Sequence, residues 1–110
     1  MKKILALSLL VSAFAATSAF AATAADNWDN NCAKCHSADG SGSGKIGKKL
    51  KLKDYTDASV QAAMKDEDMA KAIKEGVKDA SGKDRMKSFK DDLSDAEVNE
   101  LVAFIRKMKK

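Results

Sequence analysis

Cys32-Ala33-Lys34-Cys35-His36 holds both cysteines and the only histidine of a 110-residue chain, a crowding of rare residues that needs a chemical explanation. Two thiols three residues apart lie on one side of a single helical turn, and the imidazole after the second can swing toward whatever the thiols hold. The spacing suits a planar group clamped along one edge. Outward from this cluster the composition is even: 33% charged, 45% hydrophobic, 5% aromatic, with no proline. These values predict one small globular domain with a modest core and exclude a multidomain enzyme.

Upstream, Met1-Lys2-Lys3 gives a basic start, residues 4–14 are mostly apolar, and Ala19-Phe20-Ala21 is a small-residue cleavage pattern. Together they predict a cleaved signal peptide over residues 1–21 and a mature domain over residues 22–110. The alternative is a retained anchor, since residues 4–25 are 22 residues without a charge and long enough to span a bilayer. Their second half is Ala, Ser and Thr rather than Leu or Val, which favours cleavage over stable insertion. No twin arginine or cleavage-site cysteine is present, so neither folded export nor an N-terminal lipid is expected. Loss of the leader removes Lys2 and Lys3 and leaves 18 basic against 16 acidic side chains, a formal +2 in place of +4. No helix carries a basic stripe with interleaved aromatics, so nucleic acid is not an expected partner. The expectation is a soluble monomer in the periplasm.

Residues 26–36 read as a first helix opened by Asp26 or Asp29, with Trp28 and Cys32 one turn apart and turned inward. Residues 37–47 contain four glycines and three serines and read as a loop. Lys48-Lys49-Leu50-Lys51-Leu52-Lys53 alternates like a half-buried strand but has no partner, so the loop is expected to continue through it in extended form. Thr56 or Asp57 caps a second helix to about Lys65, burying Val60, Ala63 and Met64. Asp66 or Asp68 opens a third, with Met69, Ala72 and Ile73 inward and Gly76 as its stop. Residues 77–93 read as a long irregular segment holding Met86 and Phe89. Ser94-Asp95-Ala96-Glu97 is a capping box, opening a last helix whose Val98, Leu101, Val102, Ile105 and Met108 keep the 3.6-residue period. The predicted class is all-α, about four helices with long loops.

C-x-x-C-H is the attachment motif of c-type haem: the thiols add across the vinyl groups as thioethers and the histidine binds iron. Attachment takes place outside the cytoplasm, which agrees with the leader. A structural zinc would need four ligands and would have to recruit a carboxylate. A thiol-disulfide oxidoreductase places C-x-x-C at the end of a strand, and no βαβ pattern is present. A disulfide across so short a loop contributes little against unfolding. With His36 engaged and no second histidine, the sixth iron position falls to a sulfur, a lysine amine or nothing.

From Asn31-Cys32-Ala33-Lys34-Cys35-His36 through Asp39-Gly40, Met86, Phe89 and Leu93-Ser94-Asp95 to Leu101-Val102-Ala103-Phe104-Ile105-Arg106, the chain resembles a small soluble bacterial monohaem cytochrome c of the single-domain class. The likeness covers essentially all of residues 22–110. It implies a cytochrome c-like fold, the first and last helices crossing near one haem edge and the rest wrapping it. It implies one covalent haem c on Cys32 and Cys35, with His36 as proximal iron ligand and a methionine sulfur as distal ligand. Met64, Met69 and Met108 fall on apolar helical stripes, the ordinary place for a core methionine. Met86 stands in the loop before the last helix, where the family carries its ligand, so Met86 is the expected ligand and Met64 the runner-up. The family commonly has proline after that methionine, and another after the attachment site whose carbonyl accepts the proximal histidine's N–H. Lys87 and Lys48 stand there instead, so the expectation is a softer Met86 bond and a hydrogen bond from His36 to the Lys48 carbonyl.

A haem with both axial positions filled has no open site for oxygen, so the expected role is a soluble periplasmic electron carrier cycling Fe(III)/Fe(II), not an enzyme. Expected partners are redox proteins such as a membrane quinol-oxidising complex, a terminal oxidase or a reductase. The alternatives are a five-coordinate haem sensor or minor peroxidase, and a thiol-disulfide oxidoreductase. Tyr55, Trp28 and the basic side chains of residues 45–53 are candidates to meet a haem propionate. Lys34, Lys45, Lys48, Lys49, Lys83, Lys87 and Lys90 flank the attachment and ligand segments and are the expected surface for acidic partners.

Overall fold

The computed structural model describes residues 22–110; the expected leader, residues 1–21, lies outside the described residues. Thr23 opens α1 (Ala24–Asn31), its hydroxyl accepting the Asp26 amide at 3.2 Å, in place of the expected Asp26 or Asp29 cap. The helix does not run on to His36. It breaks at Cys32, whose amide closes on the Trp28 carbonyl at 2.9 Å, and α2 (Ala33–His36) restarts from there. The next element, α3 (Lys45–Leu50), replaces the expected extended loop. Gly47 allows it, since a Cβ there would stand 2.9 Å from the Cys35 carbonyl and collide with the Gly42 carbonyl. Six residues are too few to display a helical period, so the Lys/Leu alternation misleads.

Asp57 caps α4 (Ala58–Ala63) through the Ser59 amide at 2.8 Å. Gln61 is its buried residue; Val60 is half-buried and Ala63 exposed, contrary to expectation. After a two-residue link comes α5 (Asp66–Glu75), with Met69 and Ile73 buried and Gly76 as the stop at φ 75°. Part of the expected irregular segment is a hairpin, β1 (Val77–Lys78) antiparallel to β2 (Asp84–Met86), with Val77 opposite Met86. The last element, α6 (Asp95–Arg106), carries the full capping box: Ser94 Oγ accepts the Glu97 amide and Glu97 Oε1 accepts the Ser94 amide, both at 3.1 Å. Apart from the hairpin the class is all-α, as expected. No helix among the described residues is long and apolar enough to cross a membrane.

The core lies where α6 meets α1 and α5. Val98, Leu101, Val102 and Ile105 pack with Trp28, Cys32, Met69, Ile73, Phe89 and Leu93. Two polar ties fix the arrangement. Asn27 Nδ2 donates to Glu97 Oε2 at 3.0 Å, joining α1 to the start of α6. Gln61 Nε2 donates to the carbonyls of Tyr55 and Ile105, each at 2.8 Å, while Arg106 donates to Gln61 Oε1, the Met64 carbonyl and Asp66.

No proline stiffens the Met86 segment, yet its backbone is held. Ser88 Oγ donates to the Lys74 carbonyl and the Phe89 amide to the Ile73 carbonyl at 3.0 Å. The strand crosses over Gly76, where a Cβ would lie 2.5 Å from the Met86 carbonyl and 2.8 Å from the Ser88 nitrogen. Gly76→Ala therefore meets both a left-handed φ and a backbone clash, and is expected to lower stability by about 1–3 kcal/mol in denaturant unfolding.

Hydrogen bonds from Asn27 and Ser94 hold the Glu97 carboxyl below the usual carboxylate range. A carboxyl depressed on folding stabilises above its ordinary pKa, and that stabilisation is lost as pH falls through the folded value. The thermal midpoint should drop between about pH 5 and about pH 3, and Glu97→Gln should lower the midpoint at neutral pH while flattening that drop.

Candidate functional site

The end of α1, α2, the end of α3, the α4–α5 link, α5 and the hairpin enclose a cavity of about 610 Å³, within the size range of cofactor sites. Cys32, Cys35, His36 and Met86 all line it, as does Met64. Sequence spacing joins the first three; the fold adds the two methionines.

Cys32 is the residue where one helix ends and the next begins. Its carbonyl accepts the amides of Cys35 at 3.1 Å and His36 at 2.9 Å, so both thiols and the imidazole ride on one short turn. Neither cysteine is in a disulfide. Burial, reinforced by neighbouring Cys35, pushes the Cys32 thiol up to about 11. A thiol so raised disfavours the thiolate form at Cys32.

His36 lies between two aromatic rings, Trp28 at 5.7 Å and Tyr55 nearly parallel at 5.4 Å and 22°. Burial lowers its pKa and so favours the neutral ring, the form that binds a metal. Its Nδ1 is buried without a hydrogen-bond partner. The expected acceptor, the Lys48 carbonyl, instead takes the Lys51 amide at 3.2 Å, because residues 45–50 wind into α3. Trp28 is not placed to serve a propionate: it is buried, and its Nε1 donates to the Ser37 carbonyl at 3.1 Å. Tyr55 lines the cavity, and burial raises its pKa, keeping the phenol neutral.

Met64 is not on a helical stripe. It follows α4 in extended conformation, with its carbonyl held by Arg106 Nη2 at 2.6 Å. Met69 is a core residue that also touches the cavity, whereas Met108 packs over Gly40.

The cavity is rimmed by cations: Lys34, Lys51, Lys53, Lys65, Arg85 and Lys87 line it, against the single carboxylate of Asp68 among the described residues. Of the seven lysines expected there, only Lys34 and Lys87 do so. Lys45, Lys48, Lys49, Lys83 and Lys90 are exposed elsewhere. Lys65 and Arg85 escaped sequence reasoning because the side of a loop that faces a cavity depends on tertiary packing. Arg85 had one available signal, its place directly before Met86.

These residues fit haem c. Two unpaired thiols and a neutral imidazole with an unengaged nitrogen stand on one turn, thioether sulfurs come from separate elements, and cations are present for two carboxylates. A family model described as cytochrome C oxidase, cbb3-type, subunit III matches residues 19–105. The solved structure titled KustC0563 c-type cytochrome is 30% identical, with a TM-score of 0.69, over 81% of this chain and 100% of that chain. A Kustc0563 mutant with a tyrosine changed to phenylalanine is also 30% identical, with a TM-score of 0.66, over 80% of this chain and 100% of that one. No curated protein matches. With the family match spanning most of the chain and the cavity holding the donor set that haem c requires, this chain belongs to the cytochrome c family, in the group described as cytochrome C oxidase, cbb3-type, subunit III, and is a small monohaem cytochrome with covalently bound haem c and its iron.

Proposed function

We propose that the protein is a periplasmic single-electron carrier in which Cys32 and Cys35 form the haem thioethers, His36 is the proximal iron ligand and Met86 the distal one. The observation that carries this reading is the gathering of these four side chains about one cavity. When bound, the haem supplies one-electron chemistry by cycling between Fe(III) and Fe(II). The protein's part is to hold and shield it. The turn at Cys32 fixes the thiols and imidazole together, Tyr55 and Trp28 restrain the imidazole ring, and buried Met69 and Phe89 keep water from the cavity wall. With haem bound, a methionine sulfur on the iron would raise the reduction potential and leave no open position for oxygen or peroxide. Export to the periplasm is supported by the leader pattern of residues 1–21.

Met86 is preferred to Met64 because it stands in the segment before the last helix, where the resemblance puts the ligand, and because the chain just after it is tied to α5 through Ser88 and Phe89. The basic rim suits acidic docking surfaces on redox proteins, and the family description directs attention to a terminal oxidase; a quinol-oxidising complex or a reductase would suit the rim equally if its docking face is acidic.

Periplasmic material from cells making the full chain should give a pyridine haemochrome spectrum equivalent to one haem per chain; its absence overturns the assignment of the cysteines. Met86→Ala should abolish the red-region iron–sulfur band of the oxidised protein and let the reduced protein bind carbon monoxide, while Met64→Leu changes neither. The reverse result would move the ligand to Met64. Association with an acidic redox partner should slow by about tenfold as ionic strength rises to physiological levels, and Lys53→Glu should reduce the low-salt rate in stopped-flow measurements.

A further inference from the structure

Arg85 stands directly before Met86 in β2, and its Nη2 reaches away from the hairpin to donate to the carbonyl of Leu50. Leu50 is the last residue of α3, and the carbonyls at a helix end lack partners within the helix. The end of α3 is well defined: Lys51 adopts a left-handed φ of 54°, and the Leu52 amide returns to the Gly47 carbonyl at 2.9 Å. At its middle, α3 is seated on α2, where Gly47 leaves no room for a side chain against the Cys35 carbonyl. A continuous run of contacts therefore leads from Cys35 and His36, through α3, to Arg85 and Met86.

Downstream of Met86 the chain is tied to α5 through Ser88 and Phe89. Those ties say nothing about the distance from Met86 to the turn that carries His36. Among the described residues, the Arg85 to Leu50 contact is the only hydrogen bond between the hairpin and residues 32–53. It is charge-assisted, the stronger class of hydrogen bond. It also sits one residue from the sulfur in question, in a chain with no proline to stiffen that place.

We propose that Arg85 is a positioning residue: by strapping the hairpin to α3 it sets the span between His36 and Met86, and with it the firmness of the bond from the Met86 sulfur to iron. The proposal rests on the assignment of Met86 as distal ligand. Arg85 itself binds nothing at the iron; it acts through the backbone of the next residue.

The test uses the haem-loaded protein, as wild type, Arg85→Gln, Arg85→Lys and Lys83→Gln. Lys83→Gln removes the same charge from the hairpin turn, outside the cavity. Two signals are followed on heating: the red-region iron–sulfur band of the oxidised protein and the far-ultraviolet helix signal. In Arg85→Gln the band should disappear well below the temperature at which the helices melt, and carbon monoxide binding to the reduced protein should rise by about tenfold. Arg85→Lys should fall between, and Lys83→Gln should match wild type. The proposal is overturned if Arg85→Gln keeps the wild-type gap between band loss and melting with unchanged carbon monoxide binding, or if Lys83→Gln behaves as Arg85→Gln does. Should Arg85→Gln fail to accumulate, Arg85→Lys against Lys83→Gln decides the matter. A wild-type protein without the band would defeat the Met86 assignment itself, a result distinct from a normal wild type with an indifferent Arg85→Gln.

Discussion

Val98 and Leu101 are wholly shielded from solvent, and with Val102 and Ile105 they form the face of α6 on which α1 and α5 both pack. Burying such side chains contributes about 1.5–3 kcal/mol each, and in a chain with 5% aromatic residues no second core of that kind can be assembled. Stability is thus concentrated along one seam. The other apolar side chains, among them Met64, Ala72 and Val77, line the cavity. Haem c bound there would pack against them and add to the apolar surface buried.

The seam was legible in the sequence because two independent signals agree on it. The capping box at Ser94 and Glu97 marks where α6 starts, and the period of its apolar residues marks which side is buried. The thiol and imidazole cluster was legible for a similar reason, since the spacing itself encodes a single turn. Signals failed where length or tertiary context decides. In α3 the burial of Gly47 against Cys35 turns an alternating stretch into a helix. The hairpin depends on a loop in which Asp79 accepts the amides of Ser81 and Lys83 and Gly82 takes a positive φ, a feature hidden among surface lysines and aspartates. The membership of the basic rim follows from these elements, so it could not be read before them.

Polar groups do more specifying than their number suggests. A buried amide such as Gln61 is costly unless its hydrogen bonds are made, and here its nitrogen joins the residue that stacks on His36 to the end of α6. Arg106 then takes the other side of Gln61 and the carbonyl of Met64. The His36 side of the cavity and the α4–α5 link are thereby registered against the same helix. Slippage of α6 along its seam would break both sets of bonds at once, so the apolar face supplies stability and the polar pair supplies register.

The pairing of α1 with α6 joins the first and last helices among the described residues. In a chain delivered from its N-terminus, the turn bearing Cys32, Cys35 and His36 emerges early, while the helix that closes over its neighbourhood emerges last. Contacts of such high sequence separation also form late and slowly. The topology therefore leaves an interval in which the turn bearing the thiols is present while α6 has yet to pack beside it. With Cys32 and Cys35 as the thioether residues proposed above, chain order would give those bonds a time in which to form before folding buries Cys32.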